Sequence, residues 1–320
     1  MKKTVALILS ALLICTLFSG CKANKKVNVI IMNDLNSASA VHLINDAKLG
    51  KTKDDYSVTT VYTAQAVTTK ITREEADIAI VPAYVAAALY NKTEGGVILL
   101  GLTSSSGISI VTKDEQINSI ADLKGKQIFV SGRNTDTEFM IKYILNKNGI
   151  TSDDVKVTSV ADDAQLIEKM NNGQAKIAVA FEPTKTFVLN FVEGATSPIS
   201  LTSEWNNLSN DAGIITGCVV VREEFLKKNK GKVKRFIKEM EGSVYMSSAD
   251  KTETARLCKE YEITENNEIA KTLLKNSDLK FIKGDNMKTA FKKNINALHK
   301  IGMLVMGQKA PGEKFYYGAK

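Results

Sequence analysis

Histidine, arginine and cysteine are scarce in this chain of 320 residues, and each scarcity removes a class of function. Two histidines, His42 and His299, argue against a histidine-built metal centre or a Ser-His-Asp triad and leave open only a carboxylate-based metal site. Five arginines (Arg73, Arg133, Arg222, Arg235 and Arg256) are too few for the arginine-rich stripes of a nucleic-acid interface. The densest basic run, Lys227–Lys238, reads as the solvated face of a helix, with at most a mild attraction to an anionic membrane. Of four cysteines, Cys15 falls in an N-terminal apolar run, Cys21 follows it, and Cys218 and Cys258 remain. Two residues allow at most one disulfide and no C-x-x-C spacing suggests a metal, so two buried free thiols are expected. No G-x-x-x-x-G-K-[ST] segment is present, so the chain does not supply its own ATP hydrolysis. After Cys21 no uncharged apolar stretch approaches the roughly 20 residues that span a bilayer. Fixed-period repeats, low-complexity tracts and linker-like shifts of composition are also missing.

What remains is a globular composition, 44% hydrophobic and 24% charged, in a chain long enough for two lobes with their own cores. The first 20 residues stand apart. Lys2 and Lys3 precede an uncharged apolar run, Thr4–Phe18, too short to span a membrane and right for a secretory signal. The run ends Leu17-Phe18-Ser19-Gly20-Cys21, which resembles a bacterial lipobox, with Phe18 where that pattern usually has Leu. The expectation is a signal peptide over 1–20, acylation of Cys21, and a polar tether over 21–26 that leads to the first domain; ordinary secretion with an incidental cysteine is the alternative. Without residues 1–20 the chain carries 41 basic and 35 acidic residues, a balance of +6.

The stretch Ser119–Gly149 sets the pattern for the rest. Gln127–Val130 reads as a buried strand after the charged turn Asp122–Lys126, and Ser131-Gly132-Arg133 breaks it. A helix then starts with Thr135 and Glu138 spaced as a capping box, buries Phe139, Met140, Tyr143 and Ile144 on one side, and stops at Gly149. In an open α/β sheet such a turn lies where ligands bind. Strands are further expected at Val27–Met32, Ser57–Tyr62, Asp77–Val81, Val97–Leu102, Gly107–Thr112, Val155–Val160, Lys176–Phe181 and Ile214–Val221, with helices between most of them. From Glu223 the pattern is helical: Glu223–Ser248, Thr252–Tyr261, Glu265–Asn276 and Met287–Met306.

Three segments, Asp77–Lys92, Leu99–Lys113 and Ile120–Ile150, together with Ala178–Thr186 and the terminal Phe315–Tyr317, resemble the solute-binding lipoproteins of ABC importers. The nearest branch serves nitrate, sulfonate, taurine and thiamine-precursor uptake. The resemblance implies an α/β, two-lobed periplasmic-binding-protein fold of type II order with two hinge strands. It maps lobe one to 27–112 and 219–320, lobe two to 113–218, and the hinges to Gly107–Lys113 and Gly217–Arg222. It implies no enzyme activity and no cofactor. The partners it implies are a small-molecule solute, ABC permease and ATPase subunits, and the membrane through the lipid anchor, with the protein monomeric on the extracytoplasmic side and no nucleic acid involved.

The inferred site is the cleft where strand ends and helix N-termini of both lobes converge. Lobe one would contribute Asn36, Ser37, Pro82, Ala83, Tyr84, Thr103 and Ser104, and lobe two Gly132, Arg133, Asn134, Thr135, Phe181 and Glu182. Plain structural roles compete: Ser37, Asn134 and Thr135 also fit as helix caps, Pro82 and Pro183 as helix starts, and Tyr84 as core. Glu182, an acid after a buried apolar strand, is costly unless exposed or paired. Arg133 suits an anion such as a sulfonate, nitrate or phosphate, whereas Asp136, Glu138 and Glu182 oppose one. The balance leans to a nitrogen heterocycle of the thiamine-precursor kind. Enzymes on the same fold, the pyrimidine-precursor synthases, use a cysteine-rich motif and an active-site histidine; this chain has no such cysteine run. Menaquinone-pathway relatives are cytosolic, whereas this chain carries an export signal. A ligand-sensing lipoprotein that docks on a receptor is the third class, inseparable from transport by sequence.

Overall fold

β-branched runs and amphipathic runs alternate along the chain, and in the computed structural model they form strands and crossover helices of two lobes. The structure describes residues 26–33, 35–132, 136–209, 213–264, 266–300 and 309–320. The expected signal peptide 1–20, the acylated Cys21 and most of the tether lie outside these residues, as do Arg133, Asn134 and Thr135. The strands are β1 (Val27–Met32), β2 (Tyr56–Val61), β3 (Ile78–Pro82), β4 (Val97–Ser105), β5 (Ser109–Thr112), β6 (Gln127–Ser131), β7 (Lys156–Val160), β8 (Ile177–Ala180), β9 (Thr196–Ser200), β10 (Ile215–Arg222) and β11 (Asp278–Ile282).

Two sheets result. The first has the order β11-β4-β10-β3-β1-β2 and the second β7-β6-β8-β5-β9. β1 runs parallel to β2 and β3, and β10 lies antiparallel between β3 and β4. β6 runs parallel to β7 and β8, and β5 lies antiparallel between β8 and β9. Apart from the added edge strand β11, both sheets share one order, in which a strand from the far side of the crossing enters antiparallel at the fourth place. This is the type II arrangement.

Both faces of the first sheet are covered, as parallel strands with crossover helices require. The alternation of β1 shows it: Val27, Val29 and Ile31 pack with Phe236, Met240 and Val244, whereas Ile30 joins Val67, Ile71 and Ala79 on the other face. That second cluster continues across the crossings to Ile108, Ile128, Val130 and Trp205 in lobe two. The lobes therefore share one apolar core rather than meeting as separate bodies.

The crossings lie a few residues earlier than the expected hinges. β5 pairs in the second sheet, so Ser109–Thr112 belong to lobe two and not lobe one. β10 pairs in the first sheet from Ile215, so Ile215–Cys218 belong to lobe one and not lobe two. The backbone changes lobe at Ser106–Ile108 and just ahead of Ile215. The two passages are tied together, with Ser106 N–H donating to the Ile214 carbonyl at 3.0 Å.

Other departures have local causes. β9 carries Pro198 within its five residues, which the chain tolerates because β9 is an edge strand. β11 is likewise an edge strand, short and half exposed. The expected helix Glu223–Ser248 divides into Glu223–Lys228 and Lys230–Ala249 at Asn229, whose side-chain amide donates to the Phe225 carbonyl at 3.2 Å and competes with the helix ladder. The last expected helix is described as Gly284–Lys300, with 301–306 outside the described residues. Among the described residues no helix is long and apolar enough to cross a membrane.

Cys218 and Cys258 are buried thiols outside any disulfide. Burial pushes the Cys258 thiol up to about 12. In the 22–320 chain, which keeps every described element, a disulfide-exchange reagent at pH 8 should find neither thiol in the native state and both in guanidinium. Native titration of either one would contradict the packing.

Candidate functional site

The carboxyl ends of β1 and β3 in lobe one face the carboxyl ends of β6 and β8 in lobe two, and a cavity of about 310 Å³ lies between them. Met32, Asn36, Pro82, Ala83 and Tyr84 wall it from lobe one, and Ser131, Thr137, Phe181, Glu182 and Thr184 from lobe two. A second chamber of about 70 Å³ adjoins it, reached past Asn36, Glu182 and Thr216, and is lined by Ser104, Ser105, Ser106 and Ser277. A wider depression of about 440 Å³ lies on lobe two between Lys142 and Val157, away from the strand ends that converge here. The interlobe cavity is the better candidate because two sheets aim loops and helix starts at it.

Each wall residue is placed by its local chain. Pro82 closes β3 and leads directly into the helix Ala83–Lys92, which sets Tyr84 in the first turn. Phe181 and Glu182 follow β8, and the helix Thr184–Phe191 starts two residues later. The Glu182 carboxylate caps that helix: Oε2 accepts from the Thr186 N–H at 3.1 Å. Its other oxygen, Oε1, is buried and has no hydrogen-bond partner among the described residues. Glu182 is also the one charged side chain among the described residues of the two chambers. An acid held half-buried with one free oxygen calls for a donor from a ligand or solvent.

The floor is polar and small. Ser104 Oγ donates to Asn36 Oδ1 at 2.7 Å and lies 3.0 Å from Thr216 Oγ1, so Thr216 donates in turn to Ser104. Gly217 makes room for this chain: a Cβ there would stand 2.4 Å from Ser104 Oγ, 2.7 Å from Thr103 Oγ1 and 2.8 Å from Asn36 Oδ1.

The structure gathers Asn36, Pro82, Ala83, Tyr84, Phe181 and Glu182 at the larger chamber and Ser104 at the smaller. Ser37 and Thr103 do not reach either. Both are fully buried; Ser37 lies inside the 3-10 helix Leu35–Ala40 and its hydroxyl donates to the Met32 carbonyl at 2.5 Å, which is not a helix cap, and Thr103 packs against Gly217. Gly132 stands behind the wall with φ near +76°, its N–H donating to the Val160 carbonyl at 2.9 Å. Sequence reasoning missed Met32, Ser131, Thr137, Val179, Ala180, Thr184, Ile214–Thr216 and Leu298. Ser131, Thr137 and Thr216 had a signal, a hydroxyl at a strand end or helix start; Leu298, from a helix more than a hundred residues beyond Phe181, had none.

Neither histidine lines the chambers. His42 Nε2 lies 2.9 Å from Thr254 Oγ1 on the outer side of lobe one, where burial lowers its pKa against the opposing pull of Glu253, Asp250 and Asp46. Among the described residues no group of histidine, cysteine and acidic side chains is placed to hold a metal ion.

Three further hydrogen bonds tie the lobes beside the cleft. The Gly213 carbonyl accepts from Trp205 Nε1 of lobe two and from Asn294 Nδ2 of lobe one, both at 3.0 Å. Asn276 Nδ2 of lobe one donates to Thr186 Oγ1 of lobe two at 3.2 Å, on the same helical turn that binds Glu182.

Solved structures share this architecture. An ABC transporter protein from Parabacteroides distasonis superposes with a TM-score of 0.75 at 16% identity, over 91% of this chain and 98% of that one. The periplasmic aliphatic sulphonate binding protein SsuA from Escherichia coli gives 0.69 at 11% identity, over 91% and 92%. The periplasmic nitrate-binding protein NrtA from Synechocystis PCC 6803 gives 0.62 at 12%, over 87% and 82%. No curated protein sequence matches. The fold is that of the ABC-importer solute-binding proteins. Residues 64–251 match the family model described as NMT1/THI5 like, and the chain belongs to that family.

Gly217→Ala should lower stability by about 1–3 kcal/mol in urea unfolding, since the added methyl overpacks the floor. An unchanged midpoint would mean that Asn36 and Ser104 are free to move aside.

Proposed function

We propose that this chain is an extracytoplasmic solute-binding lipoprotein, acylated at Cys21, that captures a small organic solute between its lobes and delivers it to an ABC permease and ATPase. The observation that carries the reading is the buried, unpartnered Glu182 Oε1 on the wall of a cavity built by both lobes. Family membership and the shared fold support it. A cavity of about 310 Å³ suits a small molecule at the lower end of ligand sites, and its Tyr84 and Phe181 rings offer apolar faces for a planar ring.

The acid selects for a ligand that donates. An amine, amidine or ring N–H facing Glu182 Oε1 would satisfy the free oxygen, and Asn36, Ser104 and Thr216 would orient the remaining polar edge. A nitrogen heterocycle of the thiamine-precursor kind meets both demands. Lobe one carries the first sheet and lobe two the second, and closure about the two crossings would seal the solute.

A thermal-shift panel on the 22–320 chain tests the solute class, with nitrate, alkyl sulfonates, taurine, aminopyrimidines, riboflavin and amino acids. A ligand at a hundredfold its Kd adds about 2.7 kcal/mol of stability. With the best ligand, Glu182→Gln should keep the melting temperature of the empty protein and weaken binding at least tenfold by calorimetry, about 1.4 kcal/mol. Tighter binding in Glu182→Gln, with a loss in Arg133→Ala, would instead assign an anionic solute. Separately, Cys21→Ser should release the protein into the medium, and retention in the membrane fraction with unchanged palmitate-analogue labelling would exclude the lipid anchor.

A further inference from the structure

The net charge of the molecule is concentrated at one end. Segment 222–238 holds eight lysines and arginines and two glutamates, a balance of +6, equal to that of the whole chain after residue 20. The remaining residues balance to zero.

This segment lies at the pole of lobe one opposite the cleft. β1, β2, β3 and β4 all begin at that edge of the first sheet, and antiparallel β10 ends there. The Glu223 N–H bonds the Gly96 carbonyl ahead of β4, and the Arg235 guanidinium grips Asp54 ahead of β2 through two bonds of 2.7 and 2.9 Å. The chain also enters the fold at this pole, where Val27 N–H bonds the Asp55 carbonyl at 2.8 Å.

Most acids of the pole are already engaged. Asp54 holds Arg235, Asp55 holds Lys26, Glu74 and Asp77 hold Arg222, and Glu223 and Glu224 hold Lys227 and Lys228. Glu239 accepts from the Lys53 N–H and the Tyr56 hydroxyl. Lys230, Lys234 and Lys238, spaced four apart along one face of the helix Lys230–Ala249, are exposed and make no ion pair among the described residues. Three unneutralised ammonium groups in a row, beside the point where the chain enters, form a surface without an internal partner.

We propose that this pole is a docking surface for anionic lipid headgroups. Charge complementarity supports lipid, and so does reach: the six residues Cys21–Lys26 span at most about 22 Å, so an acyl anchor at Cys21 keeps this end near the bilayer. The inference takes the anchor from the proposed function, and its test does not. Docked in this way, the cleft faces away from the membrane at rest.

The test is co-sedimentation of the unacylated 22–320 chain with vesicles of phosphatidylcholine alone or with one third phosphatidylglycerol. Binding is expected only to the anionic vesicles, at about 0.1 M salt, and should fade at about 0.5 M. The triple variant Lys230→Gln/Lys234→Gln/Lys238→Gln should weaken partition on the order of a hundredfold, about fivefold per lysine. A control triple on lobe two, Lys124→Gln/Lys156→Gln/Lys176→Gln, removes the same charge from exposed sites and should retain binding. Equal loss in both triples would show net charge acting rather than this surface, and overturn the proposal. So would absence of vesicle binding in the unaltered chain, including the case in which it binds a soluble polyglutamate, which would point to an acidic protein face. Solute-induced thermal shifts on the same variants keep the two readings apart, because failure of the solute site leaves the vesicle result standing.

Discussion

Everything in this molecule hangs on the place where the backbone passes twice between lobes. Ser106 and Ile214 join the two passages by one backbone hydrogen bond, and the Gly213 carbonyl beside them accepts from an indole of one lobe and an amide of the other. Its two donors come from opposite lobes. The cleft lies where the carboxyl ends of the two sheets meet beside that seam. Its floor is the first turns of β10, where Gly217 leaves space for the Asn36–Ser104–Thr216 chain.

Much of the fold could be read from the sequence because the central strands are buried on both faces. Runs such as Val27–Met32 and Ile214–Val221 are nearly continuous in apolar residues, and no other placement would shield them. The edge strands gave no such signal. Thr196–Ser200 contains a proline and alternates exposed with half-buried positions, and Asp278–Ile282 carries only two polar residues, Asp278 and Lys280, in a short run. Edge pairing is decided by what the neighbouring strand offers, which a local pattern does not record. The crossings were placed late for a related reason: Ile108–Val111 is as apolar as any strand of lobe one, and only its partner, β8, assigns it to lobe two.

The site was legible where position and chemistry coincide. A polar or aromatic residue just past a buried strand, as at Tyr84, Phe181 and Glu182, has few places to go other than the cleft. Ser37 and Thr103 show the limit of that rule. A hydroxyl can satisfy itself on a nearby carbonyl, as Ser37 does on Met32, and a strand residue faces whichever side the pleat dictates. Leu298 reaches the cavity through the C-terminal helix, a long-range placement that no window of sequence contains.

Trp205 has a consequence of its own. It is the only tryptophan of the chain, it is fully shielded from water, and its N–H ends on the carbonyl that both lobes share. The protein thus carries its single indole at its pivot. Its emission reports the polarity and hydrogen bonding of that spot alone, undiluted by other indoles, and an opening that parts Asn294 from Gly213 alters the field around the ring without any label being attached.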